Sequence, residues 1–316
     1  MRIYLDTAQF DKISKLPEKS TNPDKLTFWK FFEIWNSSNV TLCLSPPHLQ
    51  EIYQLEDFKS RERRLIILEN FKQIYYSPWG PYSIITFEAV AQLLYISSNQ
   101  QIDPYKWVEK RIWVKKDLKT FLSYLKNDPS RLHKLSELYK YKAEMETLFI
   151  KMNKVVKKFS LQRFIKHNIN ISPFRKLFPE MYKNREKAEI WYIDIFLMAA
   201  IKNIPSIAKL YGYPENKLKG CLKKLNPDIC PALSLRMALT RVRRSGAVEK
   251  TKRSDLTDED HLVYAPYVDR FFVDKRTYAH LEQEIKRKPP RLESSFLSNI
   301  RRIGQLSDVL NEITNL

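Results

Sequence analysis

Strand-forming signal is confined to the two ends of this 316-residue chain, so any sheet it builds must join segments far apart in sequence. Arg2–Asp6 and Val40–Leu44 are short apolar runs near the start, and the next such run is Arg270–Asp274. From about 100 to 245 the apolar spacing is helical throughout, and 61–97 is helical as well, interrupted by Ser77-Pro78-Trp79-Gly80-Pro81. The order βαβα, helical block, αβα predicts an α/β fold whose two parts, 1–97 and 246–316, close around a large all-helical insertion at 98–245.

Local signals set acids at the ends of these runs. Asp6 stands where it would cap a helix running through Phe10, Ile13 and Leu16 to Pro17. An amphipathic helix, Leu26–Trp35, leads into Val40–Leu44, after which Ser45-Pro46 reads as an N-cap with proline at the first helical position. On that third helix Leu49, Ile52, Tyr53 and Leu55 share a buried face, leaving Glu51 at the edge of a cleft. Near the other end, a helix beginning at Thr257 separates the tasks of its acids. Thr257 and Asp260 have capping-box spacing, and Glu259 is expected to face solvent on the helix dipole. Asp258 and His261 point with Leu262 and Ala265 toward the sheet, although the residues alone also allow Asp258 to be one more dipole-favoured acid and His261 a packed core residue.

Composition narrows the function. A formal charge of +19, from 55 Lys and Arg against 36 Asp and Glu, favours an anionic partner, most simply a nucleic acid. Three cysteines without disulfide or zinc spacing fit a reducing cytoplasm. Five glycines and no glycine-rich phosphate loop argue against a nucleotide cofactor. No stretch reads as ~18 consecutive apolar residues, so no membrane association is expected.

Together, Tyr4-Leu5-Asp6-Thr7 ending a first strand, Glu51 inside the helix after the second, Asp258-Glu259-Asp260-His261 opening a late helix, and Val268-Asp269-Arg270-Phe271-Phe272-Val273-Asp274 as a last core strand resemble a PIN-like nuclease domain. The resemblance covers roughly 1–60 and 250–290 and leaves out the insertion. It implies a PIN-like doubly wound parallel sheet whose strand ends carry Asp6, Glu51, Asp258 and Asp274 as metal ligands and catalytic residues for Mg²⁺ or Mn²⁺. Asp269 and His261 would take supporting or substrate-contacting roles. The implied activity is metal-dependent hydrolysis of phosphodiesters, with RNA favoured over DNA. It extends to a toxin held by a protein inhibitor, or to a host-defence effector. A flap-type DNA nuclease and a non-catalytic nucleic-acid-binding regulator are the alternatives. The chemistry also asks for a cation: two carboxylates about 4 Å apart repel by about 4 kcal/mol at an effective dielectric of 20, and hard divalent ions take oxygen ligands.

Basic segments mark where a polyanion would lie. Lys151, Lys154, Lys157 and Lys158 line one helix face, and Arg236, Arg241, Arg243, Arg244, Lys250, Lys252 and Arg253 run into the acidic helix with only Glu249 opposing them. Arg241, Arg243 and Arg244 are therefore expected to deliver a phosphodiester to the acids. Trp79 and Tyr82 could stack on unpaired bases, and the segment 204–225, with a glycine turn at Gly212, has the outline of a helix-turn-helix.

Overall fold

Arg2–Leu5 forms the strand about which the sheet is laid out, and its residues alternate between two apolar layers. Ile3 and Leu5 enter one buried cluster and Tyr4 the other, the two-residue period of a strand covered on both faces. The computed structural model describes residues 1–22, 24–53, 58–115, 174–175, 177–183, 185, 187–245 and 253–315. Their strands are β1 (Arg2–Leu5), β2 (Thr41–Leu44), β3 (Ile74–Tyr76), β4 (Val114–Lys115), β5 (Arg270–Val273) and β6 (Ile300–Arg302), in the order β4-β3-β2-β1-β5-β6. All neighbours are parallel except the β3–β4 pair. From β1 the chain first winds outward to β2 and β3, then returns to the other side of β1 for β5 and β6. The strand order reverses at β1, the place where open parallel sheets gather their chemistry at the carboxyl ends of the strands.

Among the described residues the helices, in chain order, are α1 (Thr7–Ser14), α2 (Phe28–Ser37), α3 (Pro46–Tyr53), α4 (Phe58–Glu69), α5 (Pro81–Ser97), α6 (Pro104–Ile112), α7 (Pro179–Tyr182), α8 (Lys187–Tyr211), α9 (Glu215–Cys221), α10 (Pro231–Ser245), α11 (Arg253–Leu262), α12 (Lys275–Lys286) and α13 (Leu306–Thr314). One sheet face is covered by α1, α2, α4 and α13 through Phe10, Phe31, Trp35, Leu68 and Leu310. The other is covered by α5, α6, α10 and α12. Helix α5 is buried on nearly all sides: Ile84 and Ala91 face the sheet, while Ile85, Ala89 and Leu93 join a third cluster with α8, α9 and α10.

Several elements differ from those read in the sequence. Residues 61–97 are not helical throughout, because Ile74–Tyr76 is a strand; three residues are too few to show a two-residue period, and pairing with β2 decides the matter. The segment 98–245 is not wholly helical either, since β4 lies inside it, and β6 was hidden by its paired arginines Arg301 and Arg302. Helix α11 begins at Arg253, four residues before Thr257, so Thr257 is inside the helix and caps nothing. Residues 189–211 of α8 are, by length and composition, apolar enough to cross a membrane, contrary to the expectation that no stretch is; here Ile193, Phe196, Leu197 and Ala200 pack into the third cluster. The lysine stripe 151–158 lies outside the described residues.

Candidate acidic site at the sheet edge

Asp6 and Asp274 occupy equivalent places, each the residue after a strand and the N-cap of the next helix. Asp6 accepts a hydrogen bond from the Ala8 N–H (2.5 Å). Asp274 accepts from the Arg276 and Thr277 N–H groups (2.6 and 3.0 Å) and from the Thr277 hydroxyl (2.7 Å). Because β1 and β5 are parallel neighbours, with Leu5 opposite Phe272, both aspartates stand at the same edge.

Glu51 reaches this edge from α3 and Asp258 from α11. The His261 Nε2–H meets the Glu51 carboxylate at 3.3 Å, and Arg243 Nη2 donates to Asp258 Oδ2 at 2.8 Å and to the Thr277 hydroxyl at 3.2 Å. Burial raises the Asp6 carboxyl to about 6, and the charges of Glu51 and Asp258 push the same way, against His261 and the Ala8 N–H. Asp258 is also raised, by burial and by Asp274, with Arg243 and His261 opposing. Asp274 is lowered: burial would raise it, but its hydrogen bonds from Thr277 and Arg276 and the Arg243 charge win. Burial alone would lower His261, yet Glu51, Asp6 and Asp258 raise it. The four acids thus share one electrostatic environment with one histidine and one arginine.

Two residues that sequence reasoning passed over hold this arrangement. The Tyr4 hydroxyl lies 2.6 Å from His261 Nδ1 and 2.5 Å from Ser45 Oγ. His48, fully buried, accepts from the Ser45 N–H through Nδ1 (3.0 Å) and donates from Nε2 to the Leu5 carbonyl (2.6 Å), which ties the end of β2 to the end of β1. Burial, together with the charge of His261, holds His48 well below the ordinary histidine range, so it serves as a neutral strut. Ser45 therefore turns its hydroxyl to Tyr4 and His48, and its helix is tied back at the N-cap by the His48 side chain. Tyr4 sits in the apolar run of β1 and His48 in the first turn of α3, and in each case only the hydroxyl or the imidazole hints at a polar neighbour.

Other expected site residues are placed elsewhere. Asp269 precedes β5 and accepts from the Arg2 N–H (2.6 Å), at the opposite edge of the sheet. Asp260 pairs with buried Arg236 (2.5 Å), whose guanidinium lies 4.8 Å from the Tyr82 ring centre and 5.0 Å from that of Tyr192. Glu259 does not face solvent; it is buried and accepts from the Thr240 hydroxyl (2.9 Å) and the Tyr192 hydroxyl (3.3 Å). Both corrections follow from the earlier start of α11, which puts these acids in the helix body against α8 and α10. Arg241 is not at the acids: it is buried, pairing with Glu189 and with Glu284 (2.6 Å) beside a cavity of about 1400 Å³. The side chains of Arg244, Lys250, Lys252 and Arg253 lie outside the described residues.

Among the described residues, no three His, Cys, Asp or Glu side chains form a ready-made metal-ligand group. Asp6, Glu51 and Asp258 nonetheless bring carboxylate oxygens, the donors that hard divalent ions take, from three separate segments, and burial with the charges of Glu51 and Asp258 pushes Asp6 toward protonation. Compared with models of protein families, with characterised proteins and with solved structures, the chain matches none.

Proposed function

We propose that this chain is a nuclease of the PIN-like class, dependent on Mg²⁺ or Mn²⁺, that hydrolyses phosphodiesters in RNA in preference to DNA. The observation that carries the reading is the Asp6 carboxyl, pushed up to about 6 by burial with the charges of Glu51 and Asp258 adding to it, at the switch point of a parallel sheet. Such a group of acids relieves its repulsion by sharing a cation. Asp6, Glu51 and Asp258 would hold the ion, with Asp274 beside them. When bound, it would supply an activated water and neutralise charge on the phosphate.

The chain's own residues have separable tasks in this scheme. His261 holds the Glu51 carboxylate and is itself oriented by the Tyr4 hydroxyl. Arg243, buried, orients Asp258 and sets a positive charge beside Asp258 and Asp274. Asp274, ionised by its cap, keeps a negative charge at the end of β5. The preference for RNA rests on the family resemblance.

The test is incubation of the purified chain with labelled RNA and DNA in Mg²⁺, in Mn²⁺ and in excess EDTA, with Asp6→Asn as control. Metal-dependent cleavage lost in Asp6→Asn supports the reading. Cleavage undiminished in EDTA, or none in either metal, overturns it; binding without cleavage would favour a non-catalytic regulator, in which the pairs His261–Glu51 and Arg243–Asp258 are the working state.

A further inference from the structure

A line of aromatic rings and cations leads away from the acids, across α5 and α6, to the turn between α8 and α9. It begins at Trp79, whose carbonyl accepts from the Tyr264 hydroxyl (2.5 Å); Tyr264 in turn stacks on Tyr4 with ring centres 5.8 Å apart. Trp79 packs on Phe87 at 5.1 Å, and Phe87 on Trp107 at 6.3 Å. The Arg111 guanidinium lies 3.6 Å from the centre of the Trp107 ring. The Trp107 indole N–H donates to the Tyr211 hydroxyl at 3.0 Å, the Tyr211 and Tyr213 rings lie within 7° of parallel, and the Lys217 ammonium sits 5.2 Å from the Tyr213 ring centre. Trp79 and Tyr211 remain 41% and 37% exposed, which is unusual for rings fixed so firmly.

We propose that this line is a track for an unpaired nucleic-acid strand, which stacks bases on the exposed rings, sets phosphates on Arg111, Lys217 and the neighbouring exposed Lys209, and leads toward the acids. It rests on the reading of those acids as a phosphodiester-cleaving site. The indole donors of Trp79 and Trp107 are already spent on Arg111 and Tyr211, so the rings are held before any ligand arrives and little rotamer freedom is lost on binding. Stacking is indifferent to base identity, and a duplex hides its base faces, so the track selects unpaired strands rather than sequences. The +19 charge of the chain supplies the attraction that brings a polyanion to it.

The experiment uses full-length Asp6→Asn protein in EDTA and reads fluorescence anisotropy with labelled oligouridine of about 6 and about 24 nucleotides, oligothymidine of about 24, and an RNA duplex of that length. The longer single strands should bind about tenfold or more tighter than the short one and than the duplex, and the two long strands tell RNA from DNA. Tyr213→Ala and Lys217→Glu should each weaken long-strand binding several-fold to tenfold, whereas Tyr213→Trp should restore it. Lys217 is exposed, so its variant decides even if Tyr213→Ala fails to fold. Equal affinity for duplex and single strand, or unchanged affinity in both variants, overturns the track. Cleavage by the unmodified protein in Mn²⁺ is scored separately: cleavage without these binding differences sinks only the track, and these binding differences without cleavage sink only the nuclease reading.

Discussion

Asp6 and Asp274 end neighbouring parallel strands and cap the helices that follow, yet their acidities move in opposite directions. Asp274 receives three hydrogen bonds, two from backbone N–H groups, and stays ionised. Asp6 receives one and faces Glu51 and Asp258. The same local motif thus yields a stable anion in one strand and a frustrated one in the next, and the frustrated one lies nearer the middle of the sheet.

Divalent metal should therefore stabilise the protein. At Mg²⁺ or Mn²⁺ about a hundredfold above its dissociation constant the gain should be about 2.7 kcal/mol, read as a rise in Tm by scanning calorimetry. Asp6→Asn should show a much smaller rise. An equal rise in both proteins would place the ion elsewhere.

Asp258 and Asp260 should separate activity from stability. Asp258→Asn should abolish cleavage and leave the fold intact, because Arg243 keeps the charge of Asp274 nearby and the Thr277 hydroxyl as a hydrogen-bond partner. Asp260→Asn should instead cost about 3–5 kcal/mol, since it strands the buried Arg236 charge. That is far more than the loss of a helix cap, about 1 kcal/mol, which its sequence context suggested. Urea denaturation of both variants beside a cleavage assay checks this; a destabilised Asp258 variant with a normal Asp260 variant would reverse the assignment.

Arg241→Ala should act on stability and not on substrate affinity. It would take the shared buried cation from Glu189 and Glu284, leaving Arg185 at 3.5 Å from the one and Arg287 at 2.6 Å from the other, at a cost of about 3 kcal/mol. Nucleic-acid affinity of the folded fraction, measured across a salt series, should keep its slope. A slope reduced by about one unit would mean that Arg241 touches a phosphate after all.

Glu88 gives a pH signature remote from the acids. Its carboxylate accepts from the Ala232 and Leu233 N–H groups (2.8 and 3.0 Å) at the start of α10 and from the Tyr267 hydroxyl (2.6 Å). Burial pushes it up to about 7 against these three bonds, and neighbouring Tyr267 and Cys230 are kept neutral by their own burial. A carboxyl raised on folding contributes stability that is complete below its unfolded value near 4.5 and is lost as pH rises through about 7. Relative to Glu88→Gln, the native protein should lose up to about 3 kcal/mol between pH 4.5 and 7.5. A flat difference across that range would be falsifying.

Much of this architecture is written in local patterns. Arg2–Leu5, Thr41–Leu44 and Arg270–Val273 are apolar runs buried on both faces, and Asp6 and Asp274 follow directly from strands that end on acids. A net charge of +19 is a property of composition alone. What the sequence could not decide is where long-range partners stand. Thr257 and Asp260 have the spacing of a cap, but α11 begins at Arg253, and packing against α10 turns Asp260 to Arg236 and Glu259 to Thr240. Arg241 and Arg243 differ by two residues on one helix, and only the tertiary fold sends one to Glu189 and Glu284 and the other to Asp258. Tyr4 and His48 read as core residues until β1 and β2 lie side by side and their polar atoms find Ser45, His261 and the Leu5 carbonyl. Periodicity records which face of an element is buried; the partner that a buried polar group meets is set by whichever distant segment packs there.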